Sequence, residues 1–172
     1  FMGRDENRMR FIAAFPSGIA KYIIPDSLRA RDVRGVVANM DSGEILTSKC
    51  VVSLPSLQSE ECLTGDWRYA YGGLNGTKLL AINLKRDSVM LLDRNENRRE
   101  YYTVPRPVIS VVYRDGAVGA VCEDSVLVFS QGRVVRHKNR CKEGEVIFRF
   151  DGRIGTIQCS STGQYEVIQL NK

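Results

Sequence analysis

The sequence predicts an all-β fold built from antiparallel hairpin units that stack on one another. Three observations predict it: short apolar runs cut by turn dipeptides, the absence of any window with helical spacing, and a unit that recurs along the chain. The clearest stretch is 108–135, VISVVYRDGAVGAVCEDSVLVFSQGRVV. There Asp115-Gly116 and Gln131-Gly132 separate β-rich runs, the pattern of strands joined by tight hairpins. Part of it recurs 36 residues later, where Asp115-Gly116-Ala117-Val118-Gly119 lines up with Asp151-Gly152-Arg153-Ile154-Gly155. Turn glycines at 43, 76, 116 and 152 lie 33, 40 and 36 residues apart. Repeats of about 35–40 residues, each a few short strands, imply small sheets that must bury their faces against neighbours. The predicted architecture is therefore propeller-like, with about four blades or an incomplete propeller; a β-sandwich or barrel of hairpins is the alternative.

Each element follows in order. Residues 1–10 (FMGRDENRMR) read as a flexible basic arm, and 11–172 as a single β-rich domain. Residues 10–15 and 19–24 form a hairpin around Pro16-Ser17-Gly18. Residues 27–34 are a polar loop or short helical turn. Strands follow at 36–40, 44–48 and 50–54, with Pro55 ending the last. Residues 56–66 are the most loop-like internal segment. Strands at 67–71, 78–84 and 88–93 precede a charged turn at 94–100 and a strand at 101–104, which Pro105 and Pro107 close. Gly72-Gly73-Leu74-Asn75-Gly76 reads as a bulge or hairpin requiring positive φ, since it lacks the ending of a phosphate loop. Residues 165–170 make a closing strand.

The stretch 108–135 resembles a WD-type blade, in which an apolar strand, an Asp-Gly turn, a second strand, an acidic turn and a third strand succeed one another. The Trp-Asp signature is replaced by Val128-Phe129-Ser130, and the Gly-His element is absent. Residues 67–73 (WRYAYGG) followed by 78–82 (KLLAI) are similar to a segment of the WD-repeat factors that assist assembly of the large ribosomal subunit. The resemblance implies a non-enzymatic binding protein on a ribonucleoprotein.

Composition narrows the function classes. With 172 residues, 43% apolar and 26% charged, the chain can bury a core without metal. No apolar run approaches the ~20 residues of a membrane-spanning helix. The polar N-terminus does not read as a secretory signal. Of the five cysteines, Cys50, Cys122 and Cys159 lie in or beside apolar runs and none stands in a Cys-x-x-Cys pair. Reduced thiols in a cytoplasmic or nuclear setting are the expectation.

Catalysis is not expected, because the single histidine, His137, lies among cations in RHKNR with no neighbouring carboxylate. His137 and Cys141 make half a zinc site at most, so no metal or other cofactor is expected. Net charge is +5, and the cations cluster. Arg133, Arg136, Lys138, Arg140 and Lys142 form one group, Arg94, Arg98, Arg99 and Arg106 a second, and Arg29, Arg31 and Arg34 a third. The first group is expected on an exposed loop or strand edge. Connections recurring on one side of a repeat protein can build a continuous phosphate-binding patch, with Tyr101 and Tyr102 stacking on bases. Together with the resemblance to ribosome-assembly WD-repeat factors, these residues point to a ribosome-associated factor contacting rRNA, in assembly or dormancy. The alternative is a protein-interaction scaffold of propeller type without nucleic-acid contact.

Overall fold

The computed structural model describes residues 2–5, 8–15, 18–24, 33–38, 43–54, 58–72, 76–139, 146–150, 154–159 and 162–169. Every regular element in them is a strand. The first sheet comprises β1 (Met2–Asp5), β2 (Arg8–Phe15) and β3 (Gly18–Ile24). The second holds β4 (Val33–Ala38), β5 (Gly43–Thr47), β6 (Cys50–Leu54) and β7 (Ser59–Cys62). The third holds β8 (Trp67–Gly72), β9 (Lys78–Asn83), β10 (Ser88–Asp93) and β11 (Arg98–Thr103). The fourth holds β12 (Val108–Arg114), β13 (Ala117–Cys122), β14 (Ser125–Ser130) and β15 (Arg133–Lys138). The fifth holds β16 (Val146–Phe150), β17 (Ile154–Cys159) and β18 (Tyr165–Gln169). Each sheet is an antiparallel meander in chain order.

The first strands sit side by side: β4 against β8, β8 against β12, β12 against β16. The second to fifth sheets therefore radiate from a common inner edge and pack face to face, as in a propeller. This excludes the sandwich and barrel alternatives, because apolar cores lie between successive sheets rather than inside one pair. Leu46 and Val51 of the second sheet meet Leu79, Met90 and Leu92 of the third. On the opposite face of the third, Leu80, Val89 and Leu91 meet Val118, Ala120 and Leu127 of the fourth. The other face of the fourth buries Val121, Val126 and Val128 against Phe148, Ile157 and Ile168. Middle strands are thus buried on both faces, which is why β13 and β14 read as continuous apolar runs rather than alternating ones.

The turns behave as their residues demand. Asp115 (φ 47°) and Gly116 (φ 81°) are both left-handed, as are Gln131 (φ 49°) and Gly132 (φ 73°). Two successive residues at positive φ match the right-handed twist of flanking strands. Gly76 (φ 66°) confirms the positive φ expected there. Gly119 is required for another reason: a Cβ at that position would lie 2.6 Å from Cε1 of Phe148 in the next sheet.

Several expectations are corrected. Met2–Asp5 is a strand paired with β2, not part of a frayed arm. Ser59–Cys62 is a strand inside the segment expected to be loop, because β6 needs a partner along its outer edge. The charged turn after β10 is shorter than expected, since Arg98–Glu100 already pair with Leu91–Asp93. The propeller-like expectation of about four blades or an incomplete propeller holds in kind, the described residues forming three four-stranded and two three-stranded sheets. Units counted by the turn glycines at 43, 76, 116 and 152 omit the first sheet. The predicted loop at 27–34 lies largely outside the described residues, as does the repeated turn Asp151-Gly152.

Candidate functional site

The second basic cluster starts at the turn after β10. Arg94 is not directed to solvent. Its Nη1 and Nη2 donate to Glu44 Oε2 and Oε1 at 2.7 and 2.9 Å, and Nη1 also reaches the Gly76 carbonyl at 3.2 Å. Its Nε lies 3.5 Å from Glu61 Oε2. Glu44 is on β5 and Glu61 on β7, so Arg94 clamps the third sheet to the second. Arg98 pairs with Glu96 and with Glu100. The Glu100 hydrogen bond, foremost, pushes the Arg98 pKa up. Arg99 is exposed opposite Leu92. Arg106 lies 3.6 Å from Asp124.

The first cluster occupies an outer strand. Arg133, Arg136 and Lys138 are exposed on β15, the edge of the fourth sheet, so the strand-edge expectation describes their position and the loop expectation does not. Arg136 approaches the same Asp124 at 3.4 Å. That carboxyl is held below its ordinary pKa, first by the Ser125 hydroxyl and then by Arg106 and Arg136. Asp124 thus joins a residue from each cluster and offsets both. Arg140 and Lys142 lie outside the described residues, as do Arg29 and Arg31; Arg34 is on β4.

The tyrosines separate. Tyr102 tucks its ring against Phe129 at 4.8 Å and donates to Glu100 Oε2 at 2.5 Å. Burial, followed by that bond, raises its phenol pKa well above the usual range. Tyr101 is 61% exposed, its ring 5.7 Å from that of Trp67. Only Tyr101 of the two is placed to stack on anything external.

His137 is corrected: it is half-buried on β15, and its Nε2 lies 3.2 Å from Glu166 Oε1 on β18. This contact joins the fourth and fifth sheets. The thiol expectation is also corrected. Cys50 and Cys62, directly opposed on β6 and β7, form a disulfide. Cys159 is disulfide-bonded as well, with its partner outside the described residues. Cys122 is a free, buried thiol whose pKa burial raises. Among the described residues no three metal-binding side chains converge.

Sequence reasoning passed over one feature entirely. At the end of the third sheet, the connection before β8 and the turn between β9 and β10 enclose an open cleft of about 510 Å³. Asp66, Trp67, Asn83, Lys85 and Asp87 line it. The only signal in the sequence was the chain's sole tryptophan opening a strand directly after Thr64-Gly65-Asp66.

No family model matches the sequence, and no curated protein matches it either. Solved structures do match in fold. The chain is similar to the computationally designed Ika4 protein, at 9% identity over 83% of this chain and 94% of that one, TM-score 0.54. It is similar to Kluyveromyces lactis Hsv2, at 9% identity over 81% of this chain and 46% of that one, TM-score 0.53. It is also similar to BBS1N, solved in complex with ARL6DN, at 11% identity over 94% of this chain and 60% of that one, TM-score 0.58. Hsv2 and BBS1N are β-propeller proteins, and the likeness extends to the fold. The chain spans about half the length of these two.

Proposed function

We propose that this chain is a protein-interaction scaffold of propeller type, non-enzymatic, whose outer strands and sheet ends meet partner proteins. One observation carries the reading: four of the cations expected to hold phosphates are matched by carboxylates, while apolar side chains stand exposed on the strands. Arg94 is held by Glu44 and Glu61, Arg98 by Glu96 and Glu100, and Arg106 and Arg136 by Asp124. A phosphate competing for such a guanidinium must displace a carboxylate already in place, which weakens the counterion-release drive of nucleic-acid binding. Meanwhile Tyr101, Val134, Tyr165 and Val167 are 61%, 57%, 76% and 55% exposed. Exposed aromatic and β-branched side chains on sheet edges suit strand addition and hot-spot contacts. The complex of BBS1N with ARL6DN shows that protein a propeller of this fold type holding a protein partner. A disulfide at Cys50–Cys62 favours an oxidising compartment over the reduced one expected from the sequence.

Affinity capture on the immobilised chain tests this reading, with ribonuclease-treated and untreated extracts compared at low and high salt. Protein partners should survive ribonuclease and the triple change Arg133→Gln, Arg136→Gln, Lys138→Gln, and should be lost with Val134→Ser or Tyr101→Ala. Recovery of ribosomal particles only, abolished by ribonuclease or by the triple change, overturns it in favour of rRNA contact.

A further inference from the structure

We propose that the cleft at the end of the third sheet receives an arginine side chain of a protein partner, its guanidinium lying over Trp67 and bonding to Asp87. This rests on the scaffold reading and names the chemistry of one contact within it.

The walls are fixed before any ligand arrives. Gly65 turns at φ 63°, and its carbonyl accepts from Lys49 Nζ at 2.6 Å and Arg68 Nη1 at 3.3 Å. Across the cleft, the Leu84 amide donates to the Asp66 carbonyl at 3.0 Å, tying the two connecting segments together. Asn83 organises the second wall. Its Oδ1 accepts from the Asp87 and Ser88 amides at 3.0 and 3.1 Å, and its Nδ2 donates to Asp87 Oδ1 at 2.6 Å. Ser88 Oγ donates to that same oxygen at 3.1 Å. Both side-chain bonds to Asp87 fall on Oδ1, so Oδ2 is left to accept from a ligand. These bonds also hold the carboxylate ionised, Asn83 foremost. A site whose rotamers are already set loses little entropy on binding.

The lining side chains select the ligand. Asp66 and Asp87 line the cleft against one ammonium, Lys85. The nearby cations Lys49 and Arg68 point to the Gly65 carbonyl and keep their charge, so the contact rests on the indole face and the Asp87 carboxylate rather than on net charge. Tryptophan is the strongest cation–π partner among side chains, and Tyr101 extends the aromatic surface beside it. A guanidinium is flat, stacks on an indole and donates in a fork to a carboxylate; an ammonium does neither as well.

Trp67 is the only tryptophan of the chain, so its fluorescence reads this cleft directly. The experiment titrates the full chain with a short glycine-serine peptide bearing one arginine, and with the same peptide bearing citrulline, which is isosteric and neutral. A saturable change with the arginine peptide is expected. Citrulline should bind at least about tenfold more weakly, and so should the arginine peptide to Asp87→Asn, as loss of one charged hydrogen bond implies. Asp66→Asn serves as a second variant, and both are checked for an unchanged thermal transition. Lys85→Ala, which removes the like charge, should bind more tightly. Equal binding of citrulline, indifference to both aspartate variants, or a response to neutral oligosaccharides alone overturns the assignment. If wild type captures partners and Asp87→Asn captures them equally, the scaffold reading stands and this site falls. If wild type captures none, the scaffold reading falls while the peptide titration still decides the cleft.

Discussion

Replacing Arg94 by methionine asks whether charge or apolar packing locks the second sheet to the third. Methionine keeps the aliphatic stem and removes the guanidinium. Arg94, Glu44 and Glu61 have side chains 23%, 23% and 26% exposed, between a surface pair and a buried one. Exposed pairs contribute about 0–1 kcal/mol. Removing one partner from a buried pair costs about 3–5 kcal/mol, because the remaining charge is stranded. Here two carboxylates of the second sheet, Glu44 on β5 and Glu61 on β7, would be left without their shared guanidinium, and the Gly76 carbonyl would lose a donor. Their partial exposure lets water relieve part of this, so a loss of about 2–3 kcal/mol is expected. With a urea slope of about 2 kcal/mol per molar, the midpoint falls by about 1 M. Trp67 fluorescence is a suitable probe, since its ring packs against the core shared by the two sheets. A cycle with Glu44→Gln isolates the pair, with a coupling of at least about 1 kcal/mol expected. Neutralising Glu44 and Glu61 in the Arg94→Met background should restore part of the loss. A destabilisation below about 0.5 kcal/mol, or no coupling, would refute the reasoning and leave the apolar contacts as the whole of the interface.

Gly119→Ala should destabilise by about 1–3 kcal/mol, since the new methyl must displace the buried Phe148 ring; the melting temperature measures it, and an unchanged value would mean the ring has room. Asp93 is held below its ordinary pKa, chiefly by the hydrogen bond from Lys78. A depressed carboxyl contributes stability that is present above the ordinary carboxylate range and lost as pH falls through the depressed value. Melting temperature against pH should therefore fall less steeply below about pH 4 in Asp93→Asn than in wild type; parallel curves would remove Asp93 from the acid response. Reduction of Cys50–Cys62, which closes a loop of sequence separation 12, should lower stability by about 2–3 kcal/mol. The double variant Cys50→Ala, Cys62→Ala should show the same loss and be insensitive to reductant through this bond.

The strands of the third and fourth sheets are written locally. Lys78–Asn83, Ser88–Asp93 and Ala117–Cys122 carry their own β-rich composition and are bounded by Arg86-Asp87, Asp115-Gly116 and Glu123-Asp124. Their unbroken apolar runs even announce that both faces are buried, which is the reason for a stack. Ser59–Cys62 was illegible because its residues are polar and form a strand only by pairing with the edge of β6. The site was less legible than the fold. Basic residues are visible in a sequence, but their partners are not: Arg94 and Glu44 are 50 positions apart, Arg136 on β15 reaches Asp124 in the turn before β14, and His137 meets Glu166 across two sheets.

What the sequence by itself determined is the all-β class, most strand positions, the turns that require positive φ and the stacking of repeated units. These follow from side-chain periodicity and backbone sterics within a few residues. Only the tertiary structure decided that the described residues form five sheets, that Cys50 faces Cys62, which cations are spent on carboxylates, and that Trp67 and Asp87 share a cleft. Those are properties of the stacking register, which brings together residues far apart in the chain and leaves no local mark in the sequence.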